Sequence, residues 1–329
     1  MSQTCRICLA KGGRATFVFR ERMFGWGDEF AYFQCRHCGC LQIMDVPADL
    51  ARYYPPIYYS FHLQPVPQHG WKPFLMGLRD RAVTTRRGWF GWLLSRRYPA
   101  RVDVEGLGQV PLREEMRILD VGCGRGQLLS ILRRAGFRHL LGVDPHVPGD
   151  VEVVPGVQVL KGHLSDVSQQ FDLIMLHHVI EHVEDGRGML AECRERLAPG
   201  GRVLLRFPTV ECEAWDRYRE YWVALDAPRH LVLHTRKSLE ALARQAGLRV
   251  VGWQCDSVGF QFCASELYRK GLPLTNPDGT PAALDALFSR AQLKQFEREA
   301  KGLNAANRGD QVVVLLRSQR DSEASVALE

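Results

Sequence analysis

The sequence has no apolar run approaching the ~20 residues that a helix needs to cross a bilayer. Its first residues, MSQTCRICLA, also lack the charged and then apolar pattern of a secretory signal, so we expect a cytoplasmic protein. Charge is nearly balanced, with 43 Lys and Arg against 37 Asp and Glu in 329 residues. The formal net charge of +6 favours anionic substrates or surfaces but does not require nucleic acid. No internal repeat appears, so a repeat architecture is not expected.

Cysteine is abundant, with ten residues in the chain. Four of them form two C-x-x-C pairs, namely Cys5 with Cys8 and Cys35 with Cys38. This spacing is typical of a zinc ribbon, in which four thiolates close a tetrahedral site. We predict a structural Zn²⁺ on these four ligands, with Cys40 as a nearby bystander; reduced thiol pairs or a redox couple are the alternative.

The linker that follows the ribbon is rich in aromatic and basic residues. Its first part, YYPPIYYSFHLQPVPQHGWKPF, contains prolines that prevent a regular element but enough aromatics to suggest packing. Residues 86–97, RRGWFGWLLSRR, bracket an aromatic run with arginines. The favoured interpretation is a helix whose aromatic side covers the catalytic domain. The alternative is a helix that lies on a membrane surface, which would make peripheral membrane contact possible.

From residue 117 onward, short apolar runs alternate with helix-like segments, which predicts a parallel sheet with helices on both faces. The runs are RILDV, HLLGVD, VQVLKG, FDLIMLH, GRVLLRFP, RVVGWQC and DQVVVLLRS. We therefore predict an α/β fold, a doubly wound seven-stranded Rossmann-like sheet preceded by a small zinc-ribbon module. The predicted units are the ribbon at 1–48, a linker with cap helices at 49–110, a catalytic domain at 111–320 with a helical lid at 259–305, and a disordered tail at 321–329.

A glycine-rich turn follows the first strand of this domain, with Gly122, Gly124 and Gly126 at alternate positions. Gln127 stands where a dinucleotide fingerprint needs its third glycine, and the G-K-[ST] of a phosphate loop is missing. Asp120, just before the turn, disfavours a pyrophosphate and favours a cationic ligand. S-adenosylmethionine carries a sulfonium and an ammonium group, and glycines let the backbone approach such a ligand closely.

Asp144 strengthens this interpretation. It ends the second strand about twenty residues after the glycines, where a carboxylate can accept both ribose hydroxyls of a nucleoside.

The sequence resembles class I S-adenosylmethionine-dependent methyltransferases over about residues 105–319. The motifs that carry the resemblance are ILDVGCGRG, GVD, FDLIMLHHVIEHV and LAPGGRVLL. The resemblance implies a cofactor site at the ends of successive strands, made of Asp120, Gly122, Gly124, Asp144, His163, Leu164 and His177. The ribbon and the tyrosine-rich linker add a narrower resemblance to bacterial methyltransferases of sugars and natural products.

Methyl transfer from a sulfonium is an in-line displacement, and a hydroxyl acceptor also needs a base to remove its proton. Histidine suits this role because its pKa lies near neutral pH. The candidate bases are His177, His178 and His230. The candidate substrate residues, in the aromatic and charged segment after the fifth strand, are Trp222, Arg229 and His234. For Arg229, a structural pairing with Asp226 is an equal alternative.

These residues predict methyl transfer to a hydroxyl of a small molecule, such as a sugar, a polysaccharide precursor or a secondary metabolite. One alternative is methylation of a quinone or lipid intermediate at a membrane surface. Another is RNA methylation with the ribbon as the RNA-binding part, but few basic residues on the ribbon hairpins weigh against a nucleic-acid partner. The sequence does not determine the oligomeric state.

Overall fold

The computed structural model describes residues 4–58 and 65–320, so part of the tyrosine-rich linker and the predicted tail at 321–329 lie outside the described residues. The strands are β1 (Gly13–Arg20), β2 (Glu29–Cys35), β3 (Leu41–Ile43), β4 (Arg117–Val121), β5 (His139–Asp144), β6 (Val151–Val154), β7 (Val157–Lys161), β8 (Phe171–His177), β9 (Leu197–Pro208), β10 (Val232–Leu233), β11 (Leu248–Cys255) and β12 (Gln311–Ser318). The helices are α1 (Trp71–Thr85), α2 (Trp89–Arg97), α3 (Val102–Leu107), α4 (Gln127–Arg134), α5 (Gly186–Glu195), α6 (Glu213–Tyr218), α7 (Arg236–Gln245), α8 (Phe260–Arg269), α9 (Leu284–Leu287) and α10 (Arg290–Ala305). None of these helices is both long and apolar enough to span a membrane.

The larger sheet has eight strands in the order β11-β12-β9-β8-β4-β5-β7-β6. Strands β4, β5, β7, β8 and β9 pair in parallel, and β12 enters antiparallel between β9 and β11. Most residues of the inner strands β4 and β8 are buried and apolar, as expected for parallel strands that are covered on both faces of the sheet. The predicted α/β fold class is thus confirmed. The sheet has one strand more than the predicted seven, since β6 pairs antiparallel with β7 at the edge.

The smaller sheet joins the N-terminal module to the rest of the chain. Its order is β1-β2-β3-β10, and β10 comes from the segment after β9. Val232 lies opposite Gln42, and Leu233 lies opposite Leu41. A strand from the second half of the chain thus completes the sheet of the N-terminal module. The pairing of β10 with β3 joins residues on the two sides of the predicted boundary at residue 48.

Helices α1 and α2 form a hairpin on the outside of the protein. The two helices approach so closely at Gly91 that a Cβ there would lie 2.1 Å from the carbonyl oxygen of Leu78. The aromatic side of α2 faces solvent, because Trp89, Trp92 and Leu93 are 78%, 55% and 53% exposed. This finding corrects the favoured interpretation of the segment, in which these aromatics cover the catalytic domain.

The segment predicted to form a lid, residues 259–305, contains α8, α9 and α10. Its two longer helices pack against each other, with the rings of Phe262 and Phe296 5.7 Å apart. Its role as a lid stays a prediction.

Candidate active site

The glycine-rich turn lies between β4 and α4, at the carboxyl edge of the parallel strands. Gly122 and Gly124 have φ angles of 70° and 53°, in the left-handed region that favours glycine. A Cβ on Gly122 would also lie 2.6 Å from Cγ2 of Val179, in the loop after β8. Backbone conformation and close packing therefore both require glycine at position 122.

Asp144 is fixed beside this turn. Its Oδ2 accepts a hydrogen bond of 2.8 Å from the Gly124 amide, and its Oδ1 accepts one of 2.7 Å from the His146 amide. A carboxylate oxygen can accept more than one hydrogen bond, so both oxygens retain capacity for hydroxyl donors. The arrangement suits a ribose diol bound next to the glycine turn.

Asp120, on β4 just before the glycine turn, lies near two other carboxyl groups. Asp120 is buried, and burial raises the pKa of its carboxyl well above the ordinary value, with further contributions from Asp103 and Asp144. Asp103 lies on α3 and pairs at 2.8 Å with Arg101. A cationic ligand would stabilise the ionised form of Asp120, as expected beside a sulfonium or an ammonium group.

The residues predicted to flank the adenine lie after β7. Leu164 is buried at the start of a 3₁₀ turn, whereas His163 is exposed. Asp166, the carboxylate of this turn, accepts a 2.8 Å hydrogen bond from the His163 amide. The turn thus presents an apolar side chain and a locally bonded carboxylate.

His177 ends β8, and both of its ring nitrogens are buried without a hydrogen-bond partner among the described residues. Burial lowers the pKa of His177 to about 3, although the charge of Asp103 opposes this shift. The ring is therefore neutral at physiological pH. Buried polar groups in proteins almost always have partners, so the unpaired nitrogens suggest contact with a bound ligand.

His178 is less available for catalysis. Its Nδ1 lies 3.2 Å from Oε1 of Glu181, and its Nε2 accepts a hydrogen bond from Nη1 of Arg206. The same guanidinium pairs through Nε with Asp256 at 2.6 Å. Because both ring nitrogens of His178 are engaged, it cannot accept a substrate proton without breaking one of these bonds.

Glu181 is the most enclosed acid of the site. Its side chain is 0% exposed, and its Oε2 has no hydrogen-bond partner in the described part of the chain. Although burial raises it, the hydrogen bond from His178 and the proximity of His182 hold the pKa of Glu181 at about 2. The carboxylate is therefore ionised, and one of its oxygens is unpaired.

Two histidines lie beside this carboxylate, with ring centroids 4.7 Å apart: His182 and His230. The Nδ1 of His182 is 2.9 Å from the carbonyl oxygen of Arg229 and 3.1 Å from the Tyr54 hydroxyl. The Nδ1 of His230 is 2.7 Å from the carbonyl oxygen of Ala224. One ligand atom from each of the two histidines and from Glu181 lie within 4.8 Å of one another.

Glu181 and His182 are not among the site residues predicted from the sequence, so this cluster was missed. The available signal was the acid–histidine pair directly after the fourth parallel strand, together with the histidine of APRH.

The three predicted substrate residues are enclosed by protein. Trp222 and Arg229 are each 0% exposed and His234 is 1% exposed. The Trp222 indole donates to Asp310 over 3.2 Å, and Nδ1 of His234 lies 3.1 Å from the Ser238 hydroxyl. These contacts place the side chains in the interior rather than on a surface that an acceptor could reach.

Arg229 forms the structural pairing with Asp226 that was predicted from the sequence as the alternative to substrate binding. Its guanidinium lies 2.6 Å from Asp226 and 2.8 Å from Glu21, and it donates to the carbonyl oxygen of Tyr53 over 3.2 Å. The Tyr32 hydroxyl donates to the carbonyl oxygen of His230 over 2.9 Å. The N-terminal module therefore holds the loop that carries His230.

The four predicted zinc ligands are brought together. Their sulfur atoms all lie within 4.8 Å of one another, with 3.7 Å between Cys5 and Cys38 and 3.6 Å between Cys8 and Cys35. Zn–S bonds of about 2.3 Å in a tetrahedron imply sulfur–sulfur edges of roughly 3.8 Å, so the donor set fits Zn²⁺. The Cys40 sulfur lies 3.5 Å from that of Cys38, at the edge of the cluster.

The fold and the glycine turn define a doubly wound domain with a candidate ligand site at the carboxyl edge of its sheet. A family profile described as "Methyltransferase domain" matches residues 95–252. Residues 95–252, just under half of the chain, are therefore similar to a methyltransferase domain.

Individual relatives match shorter stretches. A ubiquinone biosynthesis O-methyltransferase of Bradyrhizobium sp. (strain ORS 278) is 32% identical over 101 residues, or 27% of this chain and 39% of that protein. An inositol 4-methyltransferase of Mesembryanthemum crystallinum is 28% identical over 166 residues, or 46% of this chain and 44% of that protein. The chain spans less than half the length of these two relatives. A solved S-adenosylmethionine-dependent methyltransferase from Mesorhizobium loti aligns with 66% of this chain and 98% of its own, at 19% identity and a TM-score of 0.41.

Proposed function

We propose that the protein transfers a methyl group from S-adenosylmethionine to a hydroxyl of a small molecule. The observation that carries this proposal is the pairing of the Gly122–Gly124 turn with the fixed carboxylate of Asp144. Asp144 binds the ribose hydroxyls, and Asp120 faces the positively charged methionine part. His163 and Leu164 flank the adenine, with Leu164 as the apolar contact.

His177 contacts the bound ligands through its unpaired ring nitrogens. It is not the base, because a histidine with a pKa of about 3 is a poor proton acceptor at neutral pH. His178 is also excluded from this role by its bonds to Glu181 and Arg206. We place removal of the acceptor proton at the cluster formed by Glu181, His182 and His230.

The hydroxyl acceptor is favoured by the relatives, two of which are named as an O-methyltransferase and an inositol methyltransferase. In the reaction, the acceptor oxygen attacks the methyl carbon in line with the sulfur, the carbon–sulfur bond breaks, and S-adenosylhomocysteine leaves. Enzymes accelerate such a step chiefly by holding the two reacting atoms in line.

The ribbon binds a structural Zn²⁺ through Cys5, Cys8, Cys35 and Cys38. When bound, the ion links the two C-x-x-C turns and so stabilises the sheet that β10 completes. Through Tyr32 and Glu21 this sheet holds the His230 loop, which gives the ribbon a positioning role in the active site.

The test is a methyl-transfer assay with purified protein, S-adenosylmethionine and three acceptor classes: catechols, polyols and sugar nucleotides. We expect one class to yield an O-methylated product by mass spectrometry, with loss of product in Asp144→Ala. Asp45→Ala, which alters an exposed acid, is the matched control and should keep full activity. Methylation exclusively at nitrogen or carbon would overturn the hydroxyl assignment.

A second candidate function is favoured by the α1–α2 hairpin: methylation of an acceptor at a membrane surface. Trp71 and Trp89 are 69% and 78% exposed, and the Arg96 guanidinium lies 4.8 Å from the centre of the Trp92 ring. Exposed tryptophans beside arginines are typical of helices that bind anionic lipid surfaces. The helices of this hairpin would then bring the catalytic domain to a lipid-borne acceptor.

Flotation with vesicles of anionic or zwitterionic lipid tests this candidate. We expect the protein to float with anionic vesicles and the Trp89→Ser/Trp92→Ser variant to stay at the bottom of the gradient. Equal recovery of both proteins with anionic vesicles would exclude the hairpin as the lipid contact.

A further inference from the structure

The cluster formed by Glu181, His182 and His230 has the composition of a metal site. One ligand atom from each residue lies within 4.8 Å of the other two. The Glu181 side chain is fully buried, and its Oε2 has no hydrogen-bond partner in the described residues. A buried carboxylate oxygen without a partner is strongly unfavourable, so this oxygen is suited to bind a positive group.

The hydrogen bonds of the two histidines point to the same conclusion. The Nδ1 atoms of His182 and His230 lie 2.9 Å and 2.7 Å from the carbonyl oxygens of Arg229 and Ala224. Carbonyl oxygens only accept, so each Nδ1 carries a proton, and Nε2 is the atom of each ring that can bind a metal. Metal-bound histidines almost always show this pattern, with the second nitrogen donating to a carbonyl or carboxylate.

The surrounding charges also favour a cation. Oδ2 of Asp226 lies 4.0 Å from Nε2 of His230. The Asp226 carboxylate and the Glu21 carboxylate both pair with the guanidinium of Arg229. His178 donates to Oε1 of Glu181 and leaves Oε2 free. Two imidazoles and one carboxylate therefore make a donor set suited to Zn²⁺ or a similar divalent ion, with coordination positions left open.

The cluster lies next to the predicted cofactor loop. Glu181 and His182 belong to the 3₁₀ turn Ile180–His182 that follows β8. Val179, the residue before this turn, packs against Gly122 closely enough to exclude a Cβ there. A ligand oxygen bound at the cluster would therefore lie close to the glycine turn at which the methyl donor is proposed to bind.

We propose that Glu181, His182 and His230 bind a divalent transition-metal ion whose open positions take the acceptor hydroxyl. This inference rests on the proposed function and names its acceptor class, a hydroxyl compound able to coordinate a metal. Coordination would lower the pKa of the hydroxyl, so the acceptor would lose its proton at this cluster, and the proton would pass to solvent because the three side chains bind the ion. The resulting alkoxide forms the new oxygen–carbon bond as the carbon–sulfur bond breaks.

Cobalt substitution of the full-length protein tests the proposal. We expect wild type to bind two equivalents of Co²⁺: one at the four cysteines, with thiolate charge-transfer absorption, and one with only the weaker visible bands of nitrogen and oxygen ligands. Glu181→Gln and His230→Gln should each lose one equivalent and keep the thiolate bands, which also report that the ribbon is folded. The matched control is His139→Gln, an exposed histidine on β5, which should bind two equivalents.

Binding of one equivalent by wild type, all of it at the cysteines, would overturn the proposal without any variant. Retention of two equivalents by both Glu181→Gln and His230→Gln would also overturn it. Calorimetry with S-adenosylhomocysteine separates this result from the proposed function. We expect Glu181→Gln to bind the nucleoside within threefold of wild type, whereas a wild type that binds two metal ions but no nucleoside would contradict only the methyl-transfer proposal.

Discussion

Replacing Arg229 with methionine distinguishes a structural from a substrate-binding role for this residue. The guanidinium is fully buried between Asp226 and Glu21, at 2.6 Å and 2.8 Å. Its removal leaves two enclosed carboxylates without their cation, and breaking one buried ion pair typically costs about 3–5 kcal/mol. We therefore expect Arg229→Met to lower the free energy of unfolding by at least that amount, a large part of the roughly 5–15 kcal/mol that stabilises a typical domain.

The assay is urea denaturation followed by tryptophan fluorescence. Arg20→Met is the matched control, because Arg20 and its partner Glu29 are 60% and 53% exposed and such pairs contribute at most about 1 kcal/mol. Adding Glu21→Gln to Arg229→Met should restore part of the lost stability, since one unpaired charge is removed. If Arg229→Met proves as stable as Arg20→Met yet loses methyl transfer, the structural assignment is refuted and Arg229 contacts the acceptor.

Three further predictions concern single positions. Gly122→Ala should lower the free energy of unfolding by at least about 1–2 kcal/mol, because alanine is disfavoured at a φ of 70° and its Cβ would clash with Val179. Thermal unfolding should show no comparable loss for the control Gly302→Ala, where a Cβ meets open space. S-adenosylmethionine should bind more tightly as pH rises, because the pKa of Asp120 is raised and its carboxyl must lose a proton before it can stabilise a cationic ligand fully. Calorimetry should show a weaker dependence of affinity on pH in Asp120→Asn. The same slope of affinity against pH in both proteins would contradict the reasoning. Burial raises the pKa of Asp310 to about 6, so its stabilising contribution is full below the unfolded pKa near 4 and is lost as pH rises through 6. The free energy of unfolding of Asp310→Asn should therefore exceed that of wild type by up to about 3 kcal/mol at pH 8 and match it at pH 4. The same difference at both pH values would exclude this linkage.

The parts of the structure that could be predicted from the sequence depend on local patterns. The turn from Gly122 to Gly126 requires left-handed backbone, and the buried strands are continuous apolar runs, so both features are visible within about ten residues. The two C-x-x-C pairs are similarly local, and the structure brings their sulfur atoms together.

The parts that could not be predicted depend on contacts between distant segments. His230 joins Glu181 and His182 only because the loop after α6 folds back over the end of β8. Arg229 finds Glu21 more than 200 residues away, and β10 pairs with β3 over a similar distance. In the α1–α2 hairpin, the amphipathic pattern alone could not decide whether protein or solvent lies against Trp89.

The central claim is that the glycine turn and Asp144 form a binding site for S-adenosylmethionine, and calorimetry with its demethylated product tests it most directly. The proposed ribose hydroxyls would donate two hydrogen bonds to the carboxylate, and their loss predicts that Asp144→Ala weakens binding by at least about 1.5–3 kcal/mol, or roughly tenfold or more. We expect wild-type protein to bind one equivalent of S-adenosylhomocysteine and Asp144→Ala to bind it at least tenfold more weakly. Absence of heat with wild-type protein at millimolar ligand would contradict the account.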